Sequence, residues 1–223
     1  MALEQLKIRE IVKQSVNKNV DIPEFQREFV WDPEQVKLLA ESLYRDYPVG
    51  SFLLWDSSEY QEAKTAQGTQ ASFWIVDGQQ RTTALCLLLG HKPYWWDDWE
   101  KWNKSLERHD VMVNILPVDN RLEFALPNPI RRRDPHWLCI RSVLSVEKVE
   151  DLTPLTQETV KRISSDPNQA MLLFGKVNAC LNRLWQIRER DIPIIKINHE
   201  VEDVVKSGTL LTTLNNSMNN SRH

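Results

Sequence analysis

The stretch from Phe73 to Gly90 constrains the fold more than any other. Phe73 to Val76 reads as a short strand, and Asp77-Gly78 breaks it. Gln79 to Leu89 then carries apolar residues on several sides, the pattern of a deeply buried helix. Gly90 is well placed to end that helix. A strand, a tight turn and an all-round apolar helix in direct succession fix the centre of the protein.

The flanking sequence supplies further elements. Leu3 to about Asn17 sets Ile8, Ile11, Val12 and Val16 on one face, which predicts a short amphipathic helix. Val20 to Trp31, with Pro23, Phe25, Phe29 and Trp31, reads as extended or loop. Asp32-Pro33 with Gln35 is a helix start, a capping box with proline at the first helical position. Val36, Leu39, Ala40, Leu43 and Tyr47 follow at helical spacing until Pro48. Ser51 to Trp55 predicts a strand, and Asp56 to Ala71 an exposed loop. Val111 to Leu116 and Leu122 to Leu126 predict a hairpin, followed by a basic loop over Asn128 to Pro135. Asp166-Pro167 opens a second capped helix carrying Met171, Phe174, Val177, Leu181 and Leu184 to about Arg190. Ile192 to Ile197 is an apolar strand. No internal repeat is visible, and the whole reads as α+β.

Composition narrows the function. Of 223 residues, 41% are hydrophobic and 26% charged, the balance of an ordinary globular protein. The longest apolar run, Ala84 to Leu89, is far below the ~20 residues of a membrane helix. The amino terminus lacks a signal core, so the expected location is the cytoplasm, away from membranes. Cys86, Cys139 and Cys180 sit among apolar neighbours, which suits reduced thiols better than disulfides or metal ligands. A net charge of -3 excludes coating nucleic acid by charge alone, so any DNA contact needs a local patch.

Asp77-Gly78-Gln79-Gln80-Arg81-Thr82-Thr83 is where chemistry concentrates. Gly78 permits a tight turn. The first turn of the helix offers backbone N–H groups and a partial positive charge, an anion site that Arg81 strengthens with its fork of donors. Gln79 and Gln80 can orient a water or read a base edge. Asp77 can hold Arg81 or help bind a metal ion. On the residues alone, a second reading stays open, in which Asp77 caps the helix and pairs with Arg81.

Three blocks together carry a resemblance. Ile22-Pro23-Glu24-Phe25-Gln26-Arg27-Glu28-Phe29-Val30-Trp31 comes first, Val36 to Ser51 second, and Ile75 to Leu85 third. In this order they resemble the GmrSD-type amino-terminal domain, a family related to ParB and sulfiredoxin. The resemblance covers roughly the first 90 residues and continues weakly through Trp137 and Ile192 to Val205. It implies a ParB/sulfiredoxin-like α+β core with a small mixed sheet, flanking helices and a helical carboxy-terminal part. It also implies a nucleotide site, commonly with hydrolysis, in a system that restricts modified phage DNA. Carried over, Gln26, Arg27, Gly78, Arg81 and Thr82 would bind a nucleoside triphosphate, and Asp77, Gln79 and Gln80 would serve catalysis, with Mg²⁺ offsetting phosphate charge.

The chain departs from the family beyond about residue 205. Residues 1–205 are expected to form the domain, and 206–223 a poorly patterned tail of a shortened architecture. No His-Asn-His arrangement is present, so DNA cleavage is expected from a nuclease partner chain, if at all; a homo-oligomer is the other expected assembly. A P-loop is absent, which excludes that class of nucleotidase. A DNA-binding module without turnover is one competing reading, with Arg131, Arg132 and Arg133 as its phosphate contacts, and a truncated non-catalytic remnant acting through a partner chain is the other. Trp95, Trp99 and Trp102 can stack bases, but a helix face packed on the core explains them more simply. His91, His109 and His136 share no ligand spacing.

Overall fold

The computed structural model describes residues 2–22, 28–56, 72–117 and 121–197. It is α+β. A five-stranded mixed sheet runs in the order β1 (Ala2–Lys7), β8 (Asp191–Ile197), β3 (Phe52–Asp56), β4 (Phe73–Asp77), β2 (Val20–Asp21). β8 lies parallel to β3 and β2 parallel to β4, while the other two pairings are antiparallel. A second, antiparallel sheet is formed by β6 (Glu123–Ala125), β5 (Met112–Asn114) and β7 (Trp137–Cys139). The predicted hairpin is β5–β6, with Met112 opposite Ala125.

Helix α3 (Gln79–Leu89) sits at the centre, with nine of its eleven residues buried. It packs against α1 (Ile8–Val16), α2 (Pro33–Tyr44) and α6 (Ile140–Leu144). Gly90 ends it in the left-handed region at φ 76°. The inner face of the sheet, through Phe52, Leu54, Ile75, Ile192 and Ile194, joins the same core. α4 (Trp99–Arg108) and α5 (Pro129–Arg133) border the second sheet's part of the chain. α7 (Leu152–Ile163) and α8 (Pro167–Trp185) pack on each other and complete a helical carboxy-terminal part.

Local signals act as the sequence predicts at the helix starts. The Asp32 carboxylate accepts from the Gln35 N–H, and the Gln35 side chain accepts from the Asp32 N–H, both at 2.9 Å. Asp166 caps α8 through the Asn168 N–H. At the other end of α2, Arg190 donates to the Leu43 carbonyl at 2.7 Å and to the Tyr47 carbonyl at 2.9 Å. That guanidinium ties the start of β8 to carbonyls at and just beyond the end of α2.

Four expectations need correction. Residues 2–7 are a strand and not the first turn of α1, because pairing with β8 along the whole segment overrides local helical patterning. Trp95, Trp99 and Trp102 do not share a helix face. Asp98 accepts from the N–H groups of Glu100 and Lys101 and starts α4 at Trp99, so Trp95 precedes the helix. Trp102 is buried while Trp99 is 63% exposed. The basic stretch 128–135 contains a short helix, because Asn128 accepts from the Arg131 N–H and Pro129 opens the turn. Met171 is exposed: Ala170, Phe174, Val177, Leu181 and Leu184 set the inward frame of α8, and residue 171 lies about 100° from it. The predicted loop 57–71 and the tail 206–223 lie outside the described residues.

Cys86 and Cys180 are packed as apolar groups, while the Cys139 thiol donates to Asp110 at 3.5 Å. Cys86 is fully buried, and burial pushes its thiol well above the usual range. Burial raises Cys180 to about 11. Among the described residues, no helix is long and apolar enough to cross a membrane.

Candidate functional site

The turn between β4 and α3 forces glycine. Gly78 has φ 101°, and a β-carbon there would lie 2.6 Å from Cδ1 of the buried Phe52. Having no side chain, Gly78 caps nothing, and α3 opens with the N–H groups of its first turn at the end of the sheet. Among the two adjacent glutamines, Gln79 is buried and Gln80 half-buried.

Arg81 is held on three sides. One Nη2–H donates to Asp77 Oδ2 at 2.7 Å, and Nη1 donates to the Val49 carbonyl, also at 2.7 Å. The guanidinium carbon stands 4.7 Å from the centre of the Phe52 ring. Gly50, at φ 81°, makes room for it: a β-carbon there would lie 2.6 Å from Arg81 Nη1. The Asp77–Arg81 pair left open by the residues alone is thus formed. It also orients the guanidinium at the mouth of the helix. Val49, Gly50 and Phe52 are members of this site that the sequence reading did not single out. For Val49 and Gly50 the signal was present in the second block of the resemblance, which ends at Ser51, one residue short of Phe52.

Gln80 fastens a separate piece of chain. Its amide oxygen accepts from the Val30 N–H, and its nitrogen donates to the Glu28 carbonyl, both at 2.9 Å. With both ends of the amide engaged, Gln80 positions the 28–30 segment. His109 holds the same segment from the other side, its Nε2 lying 3.1 Å from the Trp31 carbonyl and its ring edge-on to Phe29. Gln26 and Arg27 lie outside the described residues. Thr82 is fully buried, and its hydroxyl donates to the Gly78 carbonyl at 3.0 Å.

A first prediction follows from this strap. Gln80→Ala removes two hydrogen bonds that each contribute about 0.5–1.5 kcal/mol. The Val30 amide should therefore exchange with solvent markedly faster, while the α3 amides stay protected. Equal Val30 protection in the variant would show that the strap is held elsewhere.

The arginines of α5 are not alike. Arg131 donates to the Leu126 carbonyl at 3.1 Å and lies over the Trp137 ring. Arg132 is exposed, 3.7 Å from the buried Asp110, and Arg133 is exposed. Among the described residues, no cluster of three or more His, Cys, Asp or Glu side chains forms a metal cage. A cleft of about 460 Å³ lies elsewhere, between α2 and the β5–β6 hairpin, lined by residues including Glu41, Arg45 and Phe124. It contains none of the residues of the Asp-Gly-Gln-Gln-Arg turn.

No curated protein matches the chain significantly. The model of one protein family, described as GmrSD restriction endonuclease, N-terminal domain, matches residues 8–206. That span takes in all three blocks of the resemblance, the whole of α3 and every described strand after β1. The chain therefore belongs to the GmrSD N-terminal domain family and is a component of a restriction system.

Proposed function

We propose that this chain is a nucleotide-binding regulatory domain, with the phosphates of a nucleoside triphosphate seated at the amino end of α3. One observation carries the reading: Gln80 joins the first and third blocks of the resemblance. It holds Glu28, which directly follows Gln26-Arg27 in sequence, and Val30 two positions further on. The segment that follows Gln26 and Arg27 in sequence is thereby held against the first turn of α3, which carries Arg81. The helix supplies N–H donors and the positive end of its dipole, which suit a phosphate group.

The donor set fits Mg²⁺. Arg81 bonds Asp77 through Oδ2, and the other carboxylate oxygen of Asp77, a side chain 41% exposed, can take a cation. A Mg²⁺ ion bound with a triphosphate needs only one or two carboxylates, since phosphate oxygens and waters complete its shell. Such an ion would supply charge neutralisation on the phosphates. Hydrolysis is the further part of the proposal, with Arg81 offsetting developing charge and a glutamine of the turn orienting a water.

The test is calorimetric titration with ATP and GTP in the presence of Mg²⁺, followed by a phosphate-release assay. Saturable binding with release is the expected result. Binding without release would leave a regulatory binding module, and no binding of either nucleotide would refute the proposal. DNA binding without turnover is the second reading, favoured by the exposed Arg132 and Arg133 on α5. In that case cleavage falls to a nuclease partner chain, and Arg132→Ala with Arg133→Ala should lower the salt slope of DNA affinity.

A further inference from the structure

A second cleft lies at the opposite end of α3, roughly 16 Å from the Asp-Gly-Gln-Gln-Arg turn along a helix of eleven residues. Its volume is about 220 Å³, and Arg9, Lys13, His91, Glu147 and Arg188 contribute to its wall. Arg188 is the unusual member. Only 4% of it is exposed, yet its Nε is buried and has no hydrogen-bond partner. Its Nη1 donates to the carbonyls of Leu144 and Val146, which fixes the side chain in place. Its Nη2 has Glu147 Oε2 nearby at 3.9 Å, beyond hydrogen-bond reach.

Nε–H and an Nη2–H share one edge of a guanidinium, the edge that takes a carboxylate or phosphate side-on. In Arg188 that edge is unfilled, while the opposite nitrogen is spent on structure. A buried donor left without a partner is costly, and native proteins rarely keep one without a reason. The surrounding charges favour an anion. Glu10 is committed to the Lys7 N–H, and Arg9 to Glu189 at 2.7 Å. Lys13 is exposed on the same wall and forms no ion pair among the described residues. His91, half-buried, supplies a further ring nitrogen.

We infer that this cleft binds a small oxyanion, a phosphate or carboxylate group received side-on by Arg188 and faced by Lys13 and His91. Glu147 competes for the same edge in the absence of ligand and swings away when one enters. The site is distinct from the Asp-Gly-Gln-Gln-Arg turn and does not depend on the nucleotide proposal.

The test uses the intact, isotopically labelled chain and follows the Arg188 Nε–H resonance, assigned by its loss in Arg188→Lys. Inorganic phosphate and succinate are titrated separately. A saturable shift with either is expected, and the tighter of the two identifies the oxyanion class. Lys13→Ala should weaken that binding roughly two- to fivefold, as loss of an exposed charge does. Glu147→Gln should tighten it, and Arg81→Ala should leave it unchanged. Should Arg188→Lys fail to fold, Lys13→Ala and His91→Ala, both on the more open wall, identify the responding resonance. No saturable shift with either anion overturns the inference. A shift indifferent to both Lys13→Ala and His91→Ala overturns it too, as an adventitious contact.

Discussion

Gly78→Ala should destabilise the protein by roughly 2–5 kcal/mol, while Gly175→Ala should stabilise it by up to about 1 kcal/mol. The contrast isolates what the turn requires. At φ 101° an alanine costs about 1–2 kcal/mol in backbone strain alone. Its β-carbon would also sit 2.6 Å from Cδ1 of Phe52, which is 1% exposed and packed on both the core and Arg81. A ring so enclosed cannot step aside without disturbing its neighbours, and overpacking of this kind typically adds about 1–3 kcal/mol. Gly175 lies within α8, where a β-carbon would meet nothing within 4 Å, so alanine there only gains helix propensity. Denaturant midpoints of the two variants decide the matter. A Gly78→Ala protein as stable as the parent would mean that the turn relaxes freely, and the rigid geometry ascribed to Arg81 would lose its basis.

The parts of the fold that were legible in the sequence are those set by local chemistry. The Asp32 and Asp166 caps, the glycines bounding α3 and the β5–β6 hairpin are each decided within a few residues. What was illegible depends on partners far along the chain. Residues 2–7 have helical patterning but become a strand because β8, nearly two hundred residues later, offers them an edge. Trp99 looks like a core residue by type, and only the cap at Asp98 decides that it points outward.

The candidate site shows the same division. The turn from Asp77 to Arg81 could be read directly, but the partners that give each side chain its task could not. Nothing near Gln80 in sequence announces that its amide closes on Glu28 and Val30, more than fifty positions earlier for the first of them. Likewise Arg188 sits in a stretch that reads as the fraying end of a helix. Its burial against Leu144 and Val146 arises only when α6 and α8 pack together.

Arg81→Ala should weaken triphosphate binding by about 1.5–3 kcal/mol, the usual contribution of a charged hydrogen bond, which is a loss of roughly ten- to 150-fold. It should also lower stability, because the Val49 carbonyl and Asp77 both lose their donor. The two effects must be separated, since the formed Asp77–Arg81 pair is just what a purely structural arginine would make. Arg81→Lys helps: a single ammonium on a flexible stem cannot span both acceptors and lie flat on Phe52, so it should recover only part of either property. Gly50→Ala helps more. It keeps the arginine but places a β-carbon 2.6 Å from Nη1, displacing the guanidinium without removing its charge. If Arg81 meets the phosphates, affinity should fall in Gly50→Ala beyond what its stability loss explains, with binding measured well below the melting transition. If Arg81 only braces the turn, both variants should melt earlier yet bind nucleotide as the parent does once folded. That outcome would reduce the arginine to a fastener and leave the helix N–H groups to bind the phosphate unaided.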